Sequence, residues 1–326
     1  MTRSAALFEA FEETRLRAPQ LDSRQLARLL DTSEGEIQSA RLGRGVRALS
    51  LTACDLLMML PRLGPLLAVT QSDQAVMRSR VAHCRIDFDQ HRARLAEGGT
   101  LSMQMLLPGW YWVCLSDERP TPEEEILPCL QIFNRFGQAI LKLYALEPDN
   151  RAWRALTFQT DMRAPSFTRR IETFSRSAKM PSSSLRSRWQ TLRSEEDYLS
   201  LLKHWRLRPI EAIRAVEGRY SQRLEAHRFV LAMAAACERS QWMRISMSRS
   251  GCRHQHCARF EALLPGSGTR LSMESPALTL SVDKSALREA WVVTRPYEQG
   301  LKTVMEAFDH QGNLVVTLDS PQLEYR

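Results

Sequence analysis

Residues 130–144 read LQIFNRFGQAILKLY, and residues 305–319 read MEAFDHQGNLVVTLD. Laid together without a gap, Phe133 meets Phe308, Gly137 meets Gly312 and Leu143 meets Leu318. Each copy reads as a strand, a four-residue turn around a glycine, and a second strand. A hairpin repeated at an offset of 175 residues in a chain of 326 marks two related halves. The length is itself that of two domains. With 44% hydrophobic residues, each half can bury its own core.

Outward from the hairpins, the order of elements also repeats. Before the first hairpin, apolar spacing predicts helices over residues 7–17, 24–30, 34–42 and 54–60. Ser33 with Glu36 forms the signature of a capping box for the third, and Pro61 stops the fourth. Strands are expected at 66–70, 101–106, 110–115, 130–134 and 139–144, with a closing helix at 149–158. The second half opens with helices at 195–205, 209–217 and 222–238. Strands follow at 243–248, 253–263, 270–273, 277–282, 290–294, 303–308 and 314–318. Runs of helices followed by runs of strands predict an α+β fold with largely antiparallel sheets. The division expected is 1–160, a basic linker at 161–188, and 189–326.

The formal net charge is +8, and it is uneven. From Arg163 to Arg193 the chain carries eight cations against one acid, Glu172. Such a run is either a solvated linker or an anion site for carboxylates, phosphates or nucleic acid. The seven cysteines are odd in number and scattered, as in a reducing compartment. The most apolar stretch, residues 55–69, is short and broken by Pro61 and Arg62, so no membrane span is expected. The acidic N-terminus MTRSAALFEAFEETRLR does not read as a signal peptide, and a cytoplasmic protein is expected.

Few motifs carry chemistry. No nucleophile elbow, phosphate-binding loop, dinucleotide fingerprint or H-E-x-x-H is present. Residues 23–43, with Arg24, Arg28, Arg41, Arg44 and Arg47 nearby, read either as a DNA-reading helix-turn-helix or as a helical hairpin packed on its own sheet. Glu34 and Glu36 would face phosphate in the first case. Cys252, His254, His256 and Cys257 form the one dense group of metal-ligating types, but the spacing is not that of a zinc site. Strand alternation puts His254 and His256 on one sheet face. They are ordinary sheet positions, or they line a pocket as ligands to a metal or cofactor, imidazole being a common haem-iron ligand. Asp309, His310 and Gly312 fall in the repeated turn, where Asp and Gly serve geometry.

Several segments, in this order, resemble the HemS-like haemin-handling family, also called haemin-degrading factors. They are LARLLDTSEGEIQSAR at 26–41, IFNRFGQAILKLYA at 132–145 with the following helix bearing Trp153, and Trp189 leading into EEDYLSLLKHWRL at 195–207. SRSGC at 248–252, LREAWVVTRP at 287–296 and EAFDHQGNLVVTL at 306–318 complete the set. The resemblance implies two tandem α+β halves with stacked antiparallel sheets, and helices between and around them. It also implies a cytoplasmic protein that takes haem from an uptake system for trafficking or breakdown. A haem-uptake transporter or a haem oxygenase is the partner implied, and oxygenase-like ring opening is the activity implied for an enzyme.

The resemblance also marks departures. The position of the family's iron-binding histidine reads Glu196, and that of a second family histidine reads Met77. Propionate-binding arginines are replaced at Gln104, at or beside Pro209, and near Gln322. His256 falls where the family has an aromatic residue against the haem. His256, with His254, is therefore the expected replacement ligand. Arg208, Arg206 and the linker arginines are expected to meet the propionates. His204 lies eight residues beyond Glu196, about 12 Å along a helix, and cannot take the lost ligand's place without moving that helix. The other reading is a paralogue that keeps the fold, has lost tight haem binding, and acts as a non-enzymatic module for nucleic acid or a protein partner.

Overall fold

The computed structural model describes residues 3–169, 182–249, 251–266 and 268–320. The centre of the expected basic linker and Gln322 lie outside the described residues. The chain forms two compact units. The first comprises residues 1–73, 78–171 and 249–254; the second comprises 74–77, 172–248 and 255–326.

Unit 1 opens with three helices, α1 (Arg3–Arg17), α2 (Ser23–Leu29) and α3 (Glu34–Ala40). Strand β1 (Val46–Leu49) and helix α4 (Ala53–Met59) follow, then β2 (Leu66–Gln71) and β3 (Ala75–Val81), the last shared between the units. Next come β4 (Arg85–Phe88), β5 (Arg92–Glu97), β6 (Leu101–Leu106), β7 (Trp112–Glu118), β8 (Leu127–Phe133) and β9 (Ala139–Ala145). Helix α5 (Arg151–Leu156) and the short β10 (Thr160–Asp161) close the unit. Strands β10, β1, β7, β8, β9 and β2 pair antiparallel in that order, and β4, β5 and β6 form an antiparallel meander. The core packs Leu56, Leu57 and Leu60 with Leu66, Leu130, Ile132 and Leu143.

Unit 2 repeats the plan. Helices α6 (Ser182–Gln190), α7 (Glu195–Trp205) and α8 (Pro209–Ala215) precede β11 (Ser221–Glu225) and α9 (Ala226–Glu238). Strand β12 (Trp242–Arg249) leads to β13 (Cys252–Arg259), which is divided between the units. Then come β14 (Ala262–Pro265), β15 (Arg270–Glu274), β16 (Leu278–Asp283), β17 (Leu287–Tyr297), β18 (Gly300–Asp309) and β19 (Leu314–Asp319). Strands β11, β17, β18, β19 and β12 pair antiparallel, as do β14, β15 and β16. Each strand matches a strand of unit 1 in the same position, as a duplicated α+β fold requires.

The repeated hairpins agree to the atom. Each has a register shift one residue before its turn, at Ile132/Phe133 and at Ala307/Phe308. In the first turn the Asn134 side chain accepts the N–H groups of Phe136 and Gln138 at 2.9 and 3.0 Å. In the second, Asp309 accepts those of Gln311 and Asn313, both at 2.8 Å. Gly137 and Gly312 hold φ of +69° and +73°, which a side chain disfavours.

Three differences from the sequence reading have local causes. The helix expected from residue 222 begins at Ala226, because Ser221–Glu225 pair with β17. The strand expected over 253–263 is two, β13 and β14. Strands β4 and β5 are missing from the sequence reading although Arg85, Asp87, Arg92 and Arg94 alternate with the less exposed Ile86, Ala93 and Leu95, because runs of four and six residues so rich in charge do not stand out from a solvated loop.

Candidate functional site

Helix α7 carries the positions that matter most. Ser194 caps it by accepting the Asp197 N–H at 3.2 Å, and Glu195, Glu196 and Asp197 suit the positive end of the helix dipole. Tyr198, Leu201 and Leu202 face the core with Trp189, Ile213 and Phe308. Beneath the first turn, Tyr297 donates to Glu195 at 2.8 Å. Arg295 is buried, pairs with Glu306 at 2.8 Å, and lies 4.1 Å from the centre of the Tyr198 ring. Burial works against the Arg295 charge, but Glu306 and its neighbours outweigh it and hold the guanidinium charged. The fold thus fixes the first turn of α7 from below and leaves Glu196 exposed.

A groove of about 540 Å³ opens between the end of α6 and the solvent face of α7. Its apolar lining is Leu192, Leu201 and Trp205; its polar lining includes Arg188, Arg193 and His204. Asp197, Ser200, Leu201 and His204 lie three and four residues apart, hence on one face of α7. The volume is within the range of about 300–1,000 Å³ usual for small-molecule sites.

The other expected site residues are dispersed. In β13, His254 and His256 do share a buried face with Cys252 and Ala258. His254 belongs to unit 1, and both ring nitrogens are engaged: Nε2 with the Ser79 hydroxyl at 2.8 Å, Nδ1 with Thr70 Oγ1 at 3.1 Å. His256 belongs to unit 2 and is 3% exposed. Burial pushes its imidazole down to about 4, so it is neutral near pH 7. Met77 is fully buried among Phe229, Met233 and Met273 in the core of unit 2. Arg208 is exposed at the start of α8, and its guanidinium donates to the Gln311 carbonyl in the second hairpin turn. Sequence reasoning set His204 aside; its place in a groove depends on how α6 packs, which periodicity does not reveal.

Of the two readings of residues 23–43, the helical hairpin packed on its own sheet is the one the structure shows. Helix α3 buries Glu34, Gly35, Ile37, Gln38 and Ala40, so it has no free face for a DNA groove. Lys142 reaches Glu34 at 2.8 Å, and Arg41 reaches Glu118 at 3.1 Å, which anchors the helix to its own sheet. His310 lies in the turn, its ring 3.3 Å from the Ser285 carbonyl. The cysteines among the described residues are free thiols, and no metal-binding group of three His, Cys, Asp or Glu occurs among those residues. No described helix is long and apolar enough to cross a membrane.

Residues 206–320 match the haemin-degrading HemS.ChuX domain. The hemin transport protein HmuS of Yersinia pestis is 22% identical over 98% of this chain and 93% of its own length. The structure of holo-PhuS, a heme-binding protein from Pseudomonas aeruginosa, superposes with a TM-score of 0.88 at 24% identity, covering 98% of this chain and 94% of that one. The heme degrading enzyme ChuS of Escherichia coli O157:H7 gives 0.90 at 19% identity, covering 99% and 95%. Residues 206–320 thus match a HemS.ChuX domain, and along nearly its whole length the chain is similar to a hemin transport protein and shares the fold of solved heme-binding proteins.

Proposed function

We propose that the protein binds haem in the cytoplasm and serves its trafficking or breakdown in iron acquisition, with coordination unlike the family's. A haem-uptake transporter or a haem oxygenase is the partner this role calls for. The HemS.ChuX match over residues 206–320 carries the reading. A haem site asks for cations near the propionates, apolar walls and an axial ligand. Cations and apolar lining are present beside α7. The ligand in the family's place is a carboxylate, Glu196, a hard donor uncommon on haem iron. His256 offers a neutral imidazole and Met77 a soft thioether, but each is closed in packed side chains and meets iron only if its strand opens. His254 must first release Ser79 or Thr70, and Arg208 must leave the Gln311 carbonyl to reach a propionate.

Bound haem would supply the redox iron that ring opening needs, together with oxygen and a reductant. The chain's own part is to orient the ring, neutralise its carboxylates and exclude water. Titration with haemin, followed at the Soret band, tests the reading. A saturable shift at stoichiometric haemin is expected; no shift up to about 100 µM, where binding would be weaker than about 5 kcal/mol, removes it. The same titration of His256→Ala decides whether the strand imidazole is the ligand.

A further inference from the structure

We propose that unit 1 carries a docking slot for an extended protein segment anchored by a phenylalanine. Residues 163–169 are the slot's built-in occupant, a strap that an incoming segment of the same chemistry displaces. The slot is independent of the haem reading and lies wholly within unit 1.

After β10 the chain runs through residues 163–169 without helix or strand. Pro165 fixes its own φ and favours an extended Ala164, so the segment meets the slot already straightened. Phe167 is the anchor. Its ring stands edge-on to those of Tyr111, Trp112 and Phe133, with centroids 5.7, 5.8 and 6.4 Å apart. The floor of the slot is bare backbone: a Cβ added at Gly35 would stand 2.6 Å from the ring, and one at Gly137 would stand 3.4 Å from it. Main-chain bonds flank the anchor on both sides. The Tyr111 hydroxyl donates to the Ser166 carbonyl at 2.8 Å, and the Thr168 N–H donates to the Arg135 carbonyl at 3.0 Å. Arg169 approaches Asp31 at 3.5 Å with both side chains exposed, a contact that adds little. One buried ring between two main-chain bonds recognises an extended segment by its anchor and tolerates the rest of its sequence.

The duplication shows that the fold itself does not need a strap. At the hairpins' offset of 175, Ser33, Gly35 and Gly137 correspond to Arg208, Ile210 and Gly312. In unit 2 an Ile210 methyl and an Arg208 nitrogen stand 3.2 and 3.0 Å from where a Cβ on Gly312 would lie. Helix α8 thus closes that place with its own side chains. In unit 1 the same place is closed by a segment that follows the last strand. Arg163, Ala164, Ser166, Thr168 and Arg169 are exposed, and Phe167 is only half-buried. A segment attached by one ring and two main-chain bonds belongs to the low end of local stability, where opening costs far less than unfolding the unit.

A fluorescently labelled peptide of residues 162–169 is titrated into the full-length wild type and Phe167→Ala and followed by anisotropy, with circular dichroism reporting whether each is folded. Saturable binding to Phe167→Ala is expected. Binding to the wild type is expected to be about tenfold or more weaker, because the tethered strap competes at an effective concentration on the order of millimolar. The same peptide with alanine in place of its phenylalanine is expected to bind Phe167→Ala about tenfold or more weaker than the parent peptide. The wild type gives a second readout: the Thr168 amide is protected while the strap is seated, and peptide on the order of 10 mM is expected to speed its hydrogen exchange. Absence of saturable binding to a folded Phe167→Ala overturns the proposal. Equal affinity of the two peptides overturns it, as does equal affinity of the wild type and the variant. If Phe167→Ala does not fold, the exchange decides: a Thr168 rate that the peptide leaves unchanged overturns the slot, and a faster one supports it.

Discussion

Lys142 lies in β9 with 3% of its side chain exposed, 2.8 Å from Glu34 and 3.9 Å from Glu118. Burial alone would push the Glu118 carboxyl up, but Lys142 and Arg41 outweigh it and hold it below the usual glutamate range. Lys142→Met leaves the buried Glu34 without its cation and Glu118 with Arg41 alone, and breaking such a buried pair costs about 3–5 kcal/mol. A depressed carboxylate adds stability above its unfolded pKa, and that share is lost as pH falls through the folded value. The wild type should therefore lose more stability than Lys142→Met between about pH 6 and about pH 3, and the two curves should converge in acid. Urea midpoints across that range check this; a gap that stays constant with pH contradicts it. At this scale the sequence was legible where periodicity rules. The shared face of His254 and His256 followed from strand alternation, and the capping box of Ser33 and Glu36 formed as read. The buried partners of Lys142 were not legible, because they come from α3 and β7, distant in sequence.

The hairpins show how an element can be read from one glycine and still differ between copies. At Gly137 an added Cβ would stand 2.8 Å from the Ser33 Cβ and closer still to its hydroxyl. At Gly312 the added atom would stand 3.0 Å from an Arg208 nitrogen and 3.2 Å from an Ile210 methyl. Ser33 is a short, fixed cap, whereas Arg208 is long and exposed and can swing aside. Both glycines hold positive φ, so alanine costs about 1 kcal/mol at either from the backbone alone. Gly137→Ala also displaces the α3 cap, a further cost of about 1 kcal/mol. Chemical denaturation should rank Gly137→Ala below Gly312→Ala in stability, and the reverse order would contradict the cap argument. Strong local signals made these elements readable, as did the apolar stripe of α7, found from Glu195 to Trp205. Short strands such as β1 and β10 carry too few residues to show a period, and their existence depends on the neighbours they pair with.

At the scale of the whole chain, the duplication was legible but its discontinuity was not. The core of unit 2 holds Ala75 and Met77, and that of unit 1 holds Cys252, each far in sequence from the rest of its cluster. Hydrophobic patterning marks a residue as buried without saying in which core. A sequential cut is therefore expected to damage both units. A fragment of residues 172–326 would lack Met77, and losing a buried methionine side chain alone costs about 2–5 kcal/mol, a large part of the stability of a domain. In the full chain, Met77→Ala should lower the stability of unit 2 by a similar amount. Hydrogen exchange would report it at Phe229 and Met233, residues more than 150 positions downstream. The fragment should show weak near-ultraviolet dichroism and rapid proteolysis. A cooperative transition in the isolated fragment as stable as that of the full chain would mean that residues 74–77 are dispensable to that core, and that the repeated halves are independent after all.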